Sequence, residues 1–505
     1  MKRVIVGEGS YGCVHKPSIH CKNPPSQGFN YDKYVSKIMK TKNAEAELSE
    51  FVIMQNIDPS DEYHLGEPIL CDPILSASVK ENISKCKHIK IAEVEAEPDK
   101  YSLLVLKFGG PDLKALGNEL LKEYLKTDKV ERVDMFWVNV HNLIKGIRFF
   151  KEHGIVHNDI KPQNILFNLT NGNLRYIDFG LMRTKKEIID SSKKNNNYLG
   201  IYHWSYPFDC GLMDKQQYNN YNHRNSTRRT VWKNQLSNLI VNNSNINTLE
   251  LPINNPESIR ILFTYLSPTY TVPDAATQYG YINSFFDGFN DLIKTNSYAK
   301  VLDHTTDSID VFGLGFTLQF MANCFKQLNA LSLEDYTRLS TFFHKMYDFN
   351  PLTRVIDIDL LLNEYENILL ELGFLTRIGK SFKNNMLVNK APAPPSIMKK
   401  AKSDEHSRPE HLSASLQEIA DKDAVDLSLN KNLDKNLDKN LDNKIDNKID
   451  KQCPKEKDLN PTTKRCVKKC NPGFSRNDKF KCAKNTKKTV LRNKHSKRTK
   501  TRSKK

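Results

Sequence analysis

The stretch VHNDIKPQNILFNLTNGNLRYIDFG, residues 156 to 180, limits the possible folds more than any other part of the chain. It sets Asp159 and Asn164 in one polar loop, with Lys161 between them and Pro162 stiffening it. Asp178 then closes a β-like run and is followed by Phe179 and Gly180. Transfer of a phosphoryl group to a hydroxyl needs few parts. A carboxylate orients the hydroxyl, oxygen ligands hold Mg²⁺, and cations neutralise the moving phosphate. Asp159 fits the first role, Asn164 and Asp178 the second, and Lys161 the third. Any one of them alone is more often structural; together and in this order they point to catalysis.

The start of the chain supplies the matching parts. A short β-like run ending in Val6 leads into GEGSYGCV: Gly7, Glu8, Gly9, Ser10, Tyr11, Gly12, Cys13 and Val14. Glycines let backbone approach phosphates with no Cβ in the way, and Val14 can lie against a flat base. Alone, this pattern is equally a hairpin turn. In the next strand-like segment, YVSKIM, alternation puts Val35 and Lys37 on one face, the first for a base and the second for phosphates. Such a lysine needs an acidic partner. The helix-like NAEAELSEFVIMQNID offers Glu45, Glu47 and Glu50. Apolar residues at 53, 54 and 57 put Glu50 at the head of the buried stripe, so Glu50 is the expected partner; Glu45 and Glu47 read as first-turn charges.

With these residues in place, the chain resembles a eukaryotic-type serine/threonine protein kinase over about residues 1–375. The resemblance implies an α+β fold of two lobes, a small β-rich one (1–108) and a large helical one (109–380), with ATP and Mg²⁺ between them. It also implies that LVLKFGG is the hinge that holds adenine, through Leu106, Lys107 and Phe108, and that protein serines or threonines are the substrates. DVFGLG (310–315) is similar to the family's D-x-[FW]-x-x-G helix start, and NPLTR (350–354) to its late D-P-x-x-R element. Asn158 stands where many members carry an arginine that clamps a phosphorylated activation loop. Losing it removes a mode of control and leaves the chemistry intact. In GIYHWSYPFD, Pro207 matches the family's A-P-E element but Phe208 replaces its glutamate, which leaves open which acid pairs with Arg354. An insertion of about residues 212–304 follows. Two other readings stand beside an active protein kinase: a pseudokinase scaffold, and a kinase-fold enzyme for a small molecule.

Beyond residue 380 the composition changes. KAPAPPS breaks any helix, and a low-complexity linker (381–451) ends in NLDKNLDKNLDNKIDNKID, which reads as a mostly disordered spacer. Residues 452–483 resemble the two-cysteine adaptor module of large DNA viruses, which implies a kinase of a large cytoplasmic DNA virus, mimivirus-like, and an adaptor-mediated protein partner. The C-x12-C-x3-C-x11-C spacing of Cys453, Cys466, Cys470 and Cys482 lacks the tight C-x2-C pairs of zinc modules and favours disulfides or thiols. The tail, 484–505, holds 11 lysines and arginines and no acid, so without it the formal charge falls from +17 to +6. A basic tail of this kind suits a polyanion such as nucleic acid, or else a solvated end.

No apolar run nears the roughly 18 residues of a membrane span, and no secretory signal opens the chain. The expected location is cytoplasmic: host cytoplasm, or the virion. On that ground Cys13, Cys21, Cys71, Cys86, Cys210 and Cys324, scattered without metal-like spacing, are expected as reduced thiols.

Overall fold

Val35, Lys37 and Met39 alternate with Ser36 and Ile38 along one strand, and this alternation organises the small lobe. The computed structural model describes residues 4–9, 12–195, 203–223, 226–241, 256–383 and 386–389, and four short strands between 457 and 484. Five antiparallel strands form one sheet: β1 (Val4–Gly9), β2 (Gly12–Lys16), β3 (Tyr34–Lys40), β4 (Ile69–Cys71) and β5 (Tyr101–Lys107). Their order is β1-β2-β3-β5-β4. The register sets Val14 beside Lys37 and Val35 beside Leu106. Gly12 is required at its position, because a Cβ there would lie 2.3 Å from the Ile38 carbonyl oxygen of the neighbouring strand.

The two faces of this sheet are covered differently. Helix α1 (Thr41–Ile57) packs Ala44 and Leu48 against Met39, Leu104 and Leu106 on the Lys37 side. On the opposite face, the residues between β4 and β5 fold back as a cap. Val79 and Ile83 of α2 (Ala77–Ile83), Cys86, Ile89, and Val94 of α3 (Ile91–Ala96) close over Cys13, Ile38, Leu103 and Val105. Ser76 caps α2 by accepting from Val79 N at 3.4 Å.

Two disulfides fasten this layer, Cys13–Cys86 and Cys21–Cys71. This corrects the expectation of reduced thiols for those four residues. Cys86 is brought to Cys13 by the folding back of the cap, and Cys71 at the end of β4 meets Cys21 from the segment after β2, pairings that no sequence spacing reveals. Cys210 and Cys324 are free and buried.

The large lobe is helical, as expected. Helix α4 (Lys129–Glu152) crosses it, with Phe136, Trp137, Leu143, Ile144 and Phe150 buried. Two short antiparallel pairs follow: β7 (Ile165–Phe167) and β8 (Leu174–Tyr176) form a hairpin, and β6 (Ile155–Val156) and β9 (Arg183–Thr184), which flank it in the chain, pair with each other. Thr184 starts α5 (Lys185–Lys193) with a reciprocal capping box to Glu187.

Four helices occupy most of the expected insertion: α6 (Lys215–Asn222), α7 (Ser226–Val241), α8 (Pro256–Leu266) and α9 (Ala275–Thr295). Tyr221 joins Trp232 and Phe289 there, with ring centroids 5.6 and 5.3 Å away. Helix α10 (Tyr298–Gln327) opens on a polar stretch, but from Val311 to Phe325 it is mostly apolar on every side and every residue is buried, at the centre of the lobe. Helices α11 (Leu333–Tyr347) and α12 (Ile358–Glu371) complete it.

The contacts divide the chain into two compact units, 1–437 and 438–505. In the second, Lys457–Leu459 pairs with Cys466–Lys468, and Phe474–Arg476 with Cys482–Lys484, as two antiparallel hairpins. Residues 390–456, which hold the leucine repeat and Cys453, lie outside the described residues, as do Cys470 and residues 485–505. Among the described residues no helix is long and apolar enough to cross a membrane.

Candidate active site

The loop after β6 is held from beneath by α10. Asp310 is buried, and its two oxygens accept from the backbone N–H groups of His157 (2.7 Å) and Asn158 (2.8 Å). One turn on, Gly313 passes the loop so closely that a Cβ would lie 2.6 Å from the Ile160 carbonyl oxygen. Gly313, the first of the two glycines in DVFGLG, is thus a packing requirement of the loop above it.

Asp159 is fixed on one side only. Its Oδ2 accepts from Asn164 Nδ2 at 2.8 Å and lies 3.0 Å from Lys161 Nζ. Its Oδ1 is buried and has no hydrogen-bond partner among the described residues. Burial pushes the carboxyl up to about 6; Lys161 opposes the rise and Asp178 adds to it. Asn164 also donates to the Asp159 carbonyl oxygen at 2.9 Å, so its amide nitrogen is committed and its Oδ1 is left over from those bonds.

Asp178 has a φ of +63°, a left-handed bend that aspartate tolerates better than most residues. The bend leaves Asp178 exposed at the cleft while Phe179 turns inward. Phe179 is 1% exposed and packs edge-on against Phe51 of α1 at 5.7 Å and, tilted, against His157 at 5.0 Å. One side chain therefore links the loop, the bend and the small-lobe helix.

Lys37 Nζ lies 2.6 Å from Glu47 Oε2. Burial pulls the ammonium down, but Glu47, Asp178 and Glu50 outweigh that and hold it above its ordinary value. The lysine's partner is thus Glu47, not the expected Glu50. The helix starts at Thr41, directly after β3, and its inward stripe runs through Ala44, Phe51 and Met54. Ile53, counted in the stripe from sequence, is 50% exposed. Glu50 sits near Asp178 instead: a Cβ on Gly180 would be 3.3 Å from Asp178 Oδ1 and 3.5 Å from Glu50 Oε2. Burial, then Glu47 and Asp178, push its carboxyl up to about 7.

The residues expected to hold nucleotide divide into groups. Val14 and Val35 are half-buried on the strand faces registered with Lys37 and Leu106. Val6 and Gly7 lie on β1, opposite β2. Cys13 must be corrected: its side chain is bonded to Cys86 on the other face, so only its backbone borders the cleft side. Lys107 is exposed and pairs with Asp61 at 3.1 Å, and Phe108 lies under Lys16 Nζ at 3.6 Å from the ring centroid. Glu8 and Gly9 are placed as strand backbone, while Ser10 and Tyr11 lie outside the described residues.

Two departures noted in the sequence acquire partners. Asn158, at φ +67°, donates from Nδ2 to the Leu181 carbonyl oxygen at 3.1 Å, and its own carbonyl accepts from Tyr206 Oη at 2.9 Å. Phe208 is buried against Phe285 and Phe349, and the acid comes one residue later. Asp209 takes Arg354 in a fork, Nη1 to Oδ1 at 3.1 Å and to Oδ2 at 3.2 Å, and Nη2 to Oδ1 at 3.1 Å. Asp209 was missed in the sequence, although it directly follows Phe208 and is the only acid in GIYHWSYPFD.

Comparison with known proteins agrees with this geometry. Residues 77–207 match the family model described as protein kinase domain. A stretch of 92 residues is 36% identical to a putative serine/threonine-protein kinase/receptor of Acanthamoeba polyphaga mimivirus, covering 18% of this chain and 5% of that protein. Another of 119 residues is 31% identical to a serine/threonine-protein kinase of Schizosaccharomyces pombe, covering 23% of this chain and 28% of that one. A third, of 103 residues, is 32% identical to a MAP kinase kinase kinase of Saccharomyces cerevisiae, covering 20% and 6%. In each case the match spans well under two thirds of the relative's length.

Proposed function

We propose that this chain, with a protein-kinase match across its catalytic loop, is an ATP-dependent serine/threonine protein kinase. The observation that carries the reading is the state of Asp159. One carboxylate oxygen is held by Lys161 and Asn164, and the other is buried without a partner among the described residues. A buried acceptor left unsatisfied is costly unless something completes it, and a substrate hydroxyl does so.

In this reading Asp159 Oδ1 accepts the hydroxyl hydrogen and takes the proton as the new O–P bond forms and the β–γ bridging bond of ATP breaks. Lys161, 3.0 Å from the same carboxylate, neutralises charge on the moving phosphoryl. Lys37, oriented by Glu47, meets the other phosphates. The residues fit a bound Mg²⁺: Asn164 keeps an uncommitted amide oxygen and Asp178 stands exposed at the cleft, two oxygen donors of the kind the ion prefers. The ion would neutralise the phosphate oxygens.

Asn158 carries the regulatory part of the proposal. The amide holds the segment after Asp178 through the Leu181 carbonyl, without a phosphate, so activity needs no activation-loop phosphorylation. Phe208 in place of the A-P-E glutamate favours a scaffold, but the Asp209–Arg354 pair supplies that acid one residue later. For the C-terminal part we propose a polyanion contact through residues 484–505 and an adaptor contact through 452–483.

The test is transfer of γ-phosphate to a mixed protein substrate by the unphosphorylated full chain beside Asp159→Asn. The wild type should label serine or threonine, and the variant should fall by about 10²- to 10⁴-fold, the usual share of a general base. Equal transfer by both would remove Asp159 from its role. No transfer by either, with ATP still bound, would favour the scaffold.

A further inference from the structure

The outer face of the small-lobe sheet carries a cluster that phosphoryl transfer does not use. Cys13 and His15 are two residues apart on β2 and so leave the same face of the strand, opposite to Val14. Cys86 meets them from the cap, just past α2. Their exposures are 1%, 0% and 8%. Cys13 Sγ lies 3.9 Å from His15 Nε2, and the three ligand atoms all fall within 4.8 Å of one another.

Two sulfurs and an imidazole form a soft donor set, suited to Zn²⁺ and poorly suited to Mg²⁺ or Ca²⁺. A tetrahedral zinc, with Zn–S of about 2.3 Å and Zn–N of about 2.0 Å, sets a sulfur and a nitrogen ligand about 3.5 Å apart. The Cys13–His15 separation is therefore within a few tenths of an ångström of a ligand pair. The two sulfurs are bonded to each other in the structure and must part to about 3.8 Å to share an ion. His15 distinguishes the two chemistries: a disulfide needs only the sulfurs, whereas the ion also needs a nitrogen beside them.

We propose that in the reduced protein Cys13, His15 and Cys86 hold a Zn²⁺ ion that clips the cap to the glycine-rich strand. The disulfide is the oxidised form of the same site. A thiol reductant delivers two electrons and two protons to the Cys13–Cys86 bond and becomes a disulfide itself. Zn²⁺ then displaces the two thiol protons and takes the neutral imidazole as third ligand. Three protein ligands leave a tetrahedral ion one further position. The site couples redox state to the strand whose other face carries Val14, and it does not depend on the kinase reading.

The test uses the full chain with Cys453, Cys466, Cys470 and Cys482 replaced by serine, so that the C-terminal cysteines add no metal. The protein is reduced, loaded with Zn²⁺, desalted and assayed for zinc per chain and for thermal unfolding. One equivalent of zinc and a raised midpoint are expected, with both lost in His15→Gln and in Cys86→Ser. Zinc retained by His15→Gln at the parent's level, or no zinc in the parent, would overturn the proposal. Cobalt substitution of the parent alone keeps the test valid if a variant fails to fold. Thiolate-to-cobalt charge transfer is expected after reduction and not before it, and its absence after reduction would equally defeat the proposal.

Discussion

Replacing Asp209 with asparagine should cost more stability than almost any other isosteric change in the chain. Both Asp209 and Arg354 are 0% exposed at their side chains. Arg354 keeps two further partners, Ser308 Oγ at 2.9 Å and the Asp348 carbonyl oxygen at 2.8 Å, so the guanidinium remains fixed in place when its acid is removed. In Asp209→Asn the amide oxygen can preserve one contact, while the amide nitrogen turns a donor toward donors. What remains is a buried cation without its counter-charge, a defect that costs about 3–5 kcal/mol. Set against a total of about 5–15 kcal/mol for a typical domain, this is a large fraction. Urea unfolding followed by tryptophan fluorescence reads it as a lowered midpoint, and urea leaves ionic strength unchanged. Arg354→Met alone should also destabilise. The double variant Asp209→Leu/Arg354→Met should recover much of the loss, because no charge is then stranded. A loss below about 1 kcal/mol for Asp209→Asn, the range of exposed pairs, would refute the claim that the change strands a buried cation.

The remaining predictions concern the cleft and the tail. With Asp159 pushed up to about 6, its ionised fraction grows as pH rises through that value, so kcat/KM should show an acidic limb centred near pH 6; a profile flat from pH 5 to 8 would contradict this. Glu47→Gln should lower activity by about 10- to 100-fold through loss of a charge-assisted bond to Lys37, whereas Glu50→Gln should lower it little. Glu50 has a folded pKa raised to about 7, so its ionised form opposes folding above the ordinary glutamate value. Glu50→Gln should therefore stabilise the protein, with the gain emerging above about pH 4.5 and complete above about pH 7; thermal midpoints across pH would show it. Deleting residues 484–505 should reduce retention on immobilised DNA and flatten its dependence on salt.

The sequence exposes the chemistry of the cleft better than its mechanics. The grouping of Asp159, Lys161, Asn164 and Asp178 is legible because the proposed reaction demands particular functional groups at loop spacings that few other needs impose. The strand at 34–40 follows from the alternation of YVSKIM. Glu47 escaped because choosing between acids three residues apart requires the phase of α1. That phase is set by a helix start directly against β3, with no side-chain cap to announce it. Asp209 escaped because a one-residue shift within a tight turn preserves the ion pair while breaking the motif. The cap and the pairing of the four cysteines rest on contacts between residues 50 and 73 positions apart, which local periodicity cannot register.

The cap also changes what kind of object the small lobe is. An antiparallel sheet with one wet face can twist strand by strand, since only water resists on that side. Here the strand that carries Val14 is backed by Val79, Ile83, Ile89 and Val94 and fastened at Cys13. Its bending stiffness is then that of a laminated plate, not of a free ribbon. For the proposed nucleotide cleft, the motion left to this lobe is rotation of sheet and cap as one piece about the residues after β5. Cutting the staple would restore a second, the independent sway of β1 and β2.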